Sequence, residues 1–150
     1  MVVVSNQVRE LSNDLVVLSA RLVREVRRNN AAVPAASTRL LSLLDELGPT
    51  TVGALAQADR CSQPTMSGLV NGLVDKGWLR RQAHPEDARS SLVSMTPSGG
   101  ETLAAIRHRN ATVVAERIAR AGRTPEELAT TVAVLTDLLG PPAESPRRKS

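Results

Sequence analysis

Cys61-Ser62-Gln63-Pro64-Thr65-Met66-Ser67-Gly68-Leu69-Val70-Asn71-Gly72-Leu73-Val74-Asp75-Lys76-Gly77 is the stretch whose reading decides the fold. Met66, Leu69, Val70, Leu73 and Val74 recur at helical spacing and form one apolar stripe. Ser62 is a good N-cap and Pro64 suits the first turn. Gly77 can close the helix in a left-handed conformation. The opposite face carries Pro64, Gly68, Asn71 and Asp75, flanked by Thr65, Ser67 and Gly72. These side chains are small or polar. Such a face is either solvated or shaped to lie close against another surface.

Working outward, Trp78–His84 and Ser91–Thr96 read as two strands around a polar turn, Pro85–Ser90. Upstream, Thr51–Ala58 makes a short helix with Leu55 and Ala56 inward, and Asp59-Arg60-Cys61 is a turn between helices. Two helices and a basic hairpin define a winged helix-turn-helix. Its second helix would enter a major groove and its hairpin tip the adjacent minor groove.

At this point the residues resemble the MarR family of bacterial transcriptional regulators. The resemblance is carried by Ser62–Ser67, by Leu73-Val74-Asp75-Lys76-Gly77-Trp78-Leu79-Arg80-Arg81, by Pro85-Glu86-Asp87-Ala88-Arg89, and by Met95-Thr96-Pro97-Ser98-Gly99. Its most specific part is the Asp-x-Arg wing motif followed by a Thr-x-x-Gly helix start. The resemblance implies a mainly α fold with a small β-hairpin wing, and N- and C-terminal helices that pair two chains into a homodimer. It implies a repressor that grips a palindromic promoter site and is released by a small-molecule effector held between the dimer helices and the DNA-binding lobe. It also implies that Asp87 holds Arg89 in place. Gly68 and Gly72 depart from the pattern, because family members often carry a basic or larger residue at one or both positions.

The composition agrees with helices. The chain has 150 residues, no Phe, no Tyr and one Trp, so its core must be built from aliphatic side chains. That length is one domain. The net charge is +4, from 19 basic and 15 acidic residues, which is modest for a nucleic-acid partner. Its placement says more: Arg80, Arg81, His84 and Arg89 cluster in the wing. One cysteine excludes an internal disulfide and a multi-cysteine zinc site. No cofactor motif, nucleophile–base pair or phosphate loop is present, so an enzyme is not expected. The N-terminus lacks the features of a signal peptide, and no run reaches the ~18 apolar residues of a membrane span. A cytoplasmic, nucleoid-associated protein is expected, with no membrane partner.

The rest of the chain reads as flanking helices. Val8, Leu11, Leu15, Leu18 and Leu22 mark a helix from about Asn6 to Arg28, widened by Val16, Val17 and Val23 and ended by Asn29-Asn30. Such a helix is either buried within one domain or shared with a second subunit. Ser37 or Thr38 caps the next helix, and Gly48-Pro49 stops it. Thr96-Pro97 opens a long helix containing Val113, and Thr124-Pro125-Glu126-Glu127 is a capping box. The last helix carries Leu128, Val132, Leu135, Leu138 and Leu139. We therefore expect one domain over 1–140, with a DNA-binding lobe at about 36–96, dimerisation helices at about 6–30 and 97–140, and a disordered tail at 141–150. The dimer contacts fall to Val8, Leu11, Leu15, Leu18, Val113, Leu128, Val132, Leu135, Leu138 and Leu139.

The candidate contacts to double-stranded DNA are Ser62, Gln63, Pro64, Thr65, Ser67, Gly68, Asn71, Arg80, Arg81, His84, Asp87 and Arg89. Gln and Asn can pair with adenine edges, hydroxyls with phosphates, and Thr and Pro with thymine methyls. Arg89 at the wing tip suits the negative potential of a narrow minor groove. Arg80 and Arg81 are phosphate anchors or wing supports. Two other readings stay open: a helical interaction module with weakened DNA binding, motivated by Gly68 and Gly72, and a redox sensor acting through Cys61 beside a helix N-terminus.

Overall fold

The computed structural model describes residues 4–28, 32–87 and 89–140. The expected tail at 141–150 and the Asn29-Asn30 helix end lie outside them. Six helices and a small sheet follow one another as α1 (Asn6–Arg28), α2 (Ala35–Leu47), β1 (Thr50–Thr51), α3 (Val52–Ala58), α4 (Gln63–Asp75), β2 (Leu79–Ala83), β3 (Ser91–Met95), α5 (Pro97–Arg120) and α6 (Pro125–Leu139).

The helix boundaries have local causes. Thr51, Ser62, Thr96 and Thr124 each cap a helix, their side-chain oxygens accepting from a backbone N–H three residues on. At Thr124 the cap is a full box, with the Glu127 carboxylate accepting from the Thr124 N–H at 2.9 Å. Gly48, Gly77, Gly122 and Gly140 follow helix ends at positive φ, where a side chain would be strained. The cap of α2 differs from expectation. Pro34 holds that position, and Ser37 is buried inside the first turn. The proline ring pre-sets the backbone for helix entry, and two alanines, the best helix formers, extend the helix backward from Ser37.

The wing is more than a hairpin. β1 adds to β3, giving a three-stranded antiparallel sheet in the order β1-β3-β2. Thr50 pairs with Val93, and Arg81 pairs with Val93 from the other side. The short strand therefore anchors the wing to the start of α3.

The core lies under α4. Leu40, Leu41 and Leu44 of α2, Leu55 of α3, Met66, Val70 and Leu73 of α4, Leu79, Val93 and Leu103 bury together. Cys61, Leu69, Val74, Trp78 and Met95 pack at its margin. The apolar stripe read in α4 thus faces inward, and the helix is held by three neighbouring layers. In contrast, α1 and α6 leave Val8, Leu11, Val16, Leu18, Val132, Leu138 and Leu139 exposed in the single chain. Leu15, Val113, Leu128 and Leu135 are half-buried.

Candidate nucleic-acid interface

Two hydrogen-bonded devices aim α4. The turn from α3 reverses at Arg60, a non-glycine residue at φ 53, while the Cys61 N–H donates to the Ala56 carbonyl at 3.0 Å. Arg39 of α2 then clamps that turn. Its Nε and Nη2 donate to the two oxygens of Asp59 at 2.5 and 3.0 Å. The Asp59 carboxyl is held below its ordinary range, chiefly by the Arg39 hydrogen bonds and with a smaller contribution from the Cys61 thiol.

At the helix start, Ser62 Oγ accepts from the Thr65 N–H at 3.2 Å and shares a proton with Thr65 Oγ1 at 2.7 Å. Whichever hydroxyl donates in that pair, the other keeps its own proton for an outside acceptor. Pro64, Thr65, Gly68 and Asn71 form the outward face. A Cβ at Gly68 or Gly72 would meet nothing within 4 Å, so packing does not require glycine there.

Between this helix and the wing runs an open groove of about 630 Å³. Gln63, Ser67, Arg81, His84, Asp87 and Arg89 line it together. Arg80 does not join them. Side chains alternate along a strand, so Arg80 lies on the other sheet face, where its Nε donates to Ser94 Oγ at 3.1 Å. Arg81 spans the groove, donating to Asn71 Oδ1 at 2.8 Å and to Ser91 Oγ at 3.3 Å.

The wing tip is closed by its own polar groups. The His84 N–H donates to the Ser90 carbonyl, and His84 Nδ1 accepts from the Glu86 N–H at 3.2 Å. That ring is thereby part of the turn. Asp87 acts on the backbone: its Oδ1 accepts from the Arg89 N–H at 3.0 Å. Among the described residues no carboxylate makes an ion pair with the Arg89 guanidinium, so the charge is presented rather than neutralised.

The sequence profile of the MarR family matches residues 33–91, the segment that holds α2, the helix-turn-helix and most of the wing. An HTH-type transcriptional regulator of Mycobacterium tuberculosis is 35% identical over 120 residues, covering 79% of this chain and 84% of the relative. This chain belongs to the MarR family. Solved structures share the fold: a MarR family protein from Bacillus stearothermophilus superposes with a TM-score of 0.73 at 19% identity, over 91% of this chain and 96% of its own. A mutant of S. aureus MepR bound to an oligodeoxyribonucleotide superposes at 0.59 and 20% identity, over 86% and 95%. The MarR-family chain is a DNA-binding transcriptional regulator with a winged helix-turn-helix, not an enzyme. Among its described residues no helix is long and apolar enough to cross a membrane.

Four residues of this MarR-family chain join the site that were not expected from the sequence. Thr51 of β1 and Gly53 of α3 line the groove, brought there by the pairing of β1 with β3. Ser91 supports Arg81 across the sheet. Arg39 clamps the turn from 20 residues away in sequence, and no local pattern announces such a pairing. Cys61, considered for redox sensing, is a free thiol, half-buried against the core.

Proposed function

We propose that the chain acts as a homodimeric repressor on a palindromic promoter site. In each protomer α4 lies in a major groove and the wing tip reaches the neighbouring minor groove. The observation that carries this reading is the groove that joins Gln63 and Ser67 of α4 to Arg81 and the unneutralised Arg89 of the wing. Ser62, Thr65 and Asn71 contribute from the outward face. Gly68 and Gly72 leave that face flat, which allows the helix backbone to approach the duplex closely. The dimer is supported by the exposed apolar residues of α1 and α6. A two-fold pair would set its recognition helices about 34 Å apart, one duplex turn.

Release by a small ligand is supported by a second cavity of about 320 Å³ between α1, α2 and α5. Val26, Ile106 and Val114 give it apolar walls, and Arg27, Thr38 and Asn110 give it a polar edge. A ligand there acts only if it prefers one spacing of the two DNA-binding lobes.

Selection of duplexes from a random pool, followed by fluorescence anisotropy, tests the reading. A palindrome is expected. Arg89→Ala should weaken binding at least about tenfold near ~0.15 M salt and lower the slope of log affinity against log salt by about 1. An unchanged affinity would remove the wing from the interface. No duplex retained even at low salt would favour a helical interaction module instead. A reporter under the selected site that is silenced by the protein supports repression.

A further inference from the structure

We infer that Arg81 sets which base Asn71 reads, turning it from an adenine-pairing amide into a donor that selects guanine. This rests on the proposal that α4 lies in the major groove. The contact that carries it is between elements: Arg81 of β2 donates from Nη2 to Asn71 Oδ1 at 2.8 Å. A guanidinium has donors and no acceptor, so only the amide oxygen can face it. The orientation of the Asn71 amide is thereby fixed, with the Nδ2 donors turned away from Arg81. Asn71 is exposed, and the neighbouring Gly68 and Gly72 bring no side chain over it.

The guanidinium is itself held in place. Arg81 sits in the sheet opposite Val93, which is fully buried, and its Nη1 donates to Ser91 Oγ at 3.3 Å. Its backbone is fixed by the strand ladder and its head by two partners on different elements. The pair therefore arrives at a duplex already formed.

An unencumbered asparagine pairs with adenine by accepting from N6 and donating to N7. Here one of the accepting atom's two lone pairs already serves a cation. That cation also repels the positive hydrogens of the adenine amino group. Guanine presents N7 and O6, two acceptors, and both the amide donors and the nearby positive charge favour that edge. Arg81 is a positioning residue for base readout in addition to any phosphate it meets.

Selection from a random duplex pool with the full chain tests this, using the wild type, Arg81→Met, Arg81→Lys and Asn71→Asp, with thermal unfolding to confirm each fold. The wild type should prefer guanine over adenine by about tenfold or more at one position of each half-site. Arg81→Met should move that position alone toward adenine. Arg81→Lys, which keeps a donor for Oδ1, should retain guanine. Asn71→Asp, which keeps an acceptor for Arg81 and loses the outward donors, should lose the guanine preference.

A uniform loss of affinity in Arg81→Met with an unaltered motif would overturn the proposal and leave Arg81 as a phosphate anchor. Guanine retained by Asn71→Asp would overturn it independently of whether Arg81→Met folds. Failure of the wild type to retain any duplex would instead bring down the DNA-binding geometry on which the proposal stands, so the two failures are distinguishable.

Discussion

Gly99 shows how one residue can join two halves of the molecule. Thr96 caps α5, accepts from the Gly99 N–H at 3.1 Å and donates its hydroxyl to the Gly77 carbonyl at 2.6 Å. The first turn of α5 is thereby laid across the backbone that leaves α4. A Cβ at Gly99 would sit 2.2 Å from the Trp78 carbonyl oxygen and 2.9 Å from Met95 Cγ. This is the physical reason for glycine three residues after the threonine. Gly99→Ala should cost about 2–3 kcal/mol in urea unfolding, because backbone must move to admit the methyl. Gly100→Ala, where a Cβ meets nothing within 4 Å, should be neutral or add up to about 1 kcal/mol. Equal effects at the two sites would refute the close crossing.

At the scale of elements, α4 carries two helical glycines with open space around each. Gly68→Ala and Gly72→Ala should each stabilise the fold by roughly 0.5–1 kcal/mol, since alanine loses less backbone freedom. If the bare face presses against a duplex, the same changes should weaken DNA binding. Stability gained with affinity unchanged would show that the helix stands off the DNA. The clamp between α2 and the turn before α4 adds a pH dependence. The Asp59 carboxyl is depressed in the folded state by Arg39, so as pH falls the unfolded chain takes up its proton first. The clamp's contribution is full above the ordinary aspartate value of about 3.9 and is lost as pH drops through it toward the folded value. Thermal melting across acid pH should show this as a falling limb that Asp59→Asn flattens. An identical acid limb in that variant would mean the clamp adds nothing.

At the scale of the molecule, the winged lobe buries most of its large apolar side chains, Leu47 apart, and the flanking helices do not. Leu139 is 84%, Val16 68% and Leu138 65% exposed, whereas the residues under α4 are close to fully buried. Apolar surface on this scale draws a partner. If the partner is a second copy, the wild type should elute as a dimer by size exclusion with light scattering. Val132→Glu with Leu138→Glu should then yield a folded monomer that binds DNA far more weakly, since two half-sites can no longer be held at once. A double variant that remains dimeric would place the interface elsewhere.

The sequence by itself determined the helices, the two longer strands and most of their ends, because those depend on neighbours in the chain. The stripe at Met66, Leu69, Val70, Leu73 and Val74, the caps at Ser62, Thr96 and Thr124 and the closing glycines all act within a few residues of themselves. Even there the local rule failed once, at Pro34, where a serine cap and a proline entry competed. The candidate DNA contacts were likewise legible as residue types on one helix face and one turn. Only the tertiary structure decided how they are placed. It brought β1 to the sheet, set Arg39 on Asp59, joined Arg81 to Asn71 and turned Arg80 to the far face. Each of those pairings joins residues far apart along the chain, whose meeting is fixed by how the buried core packs.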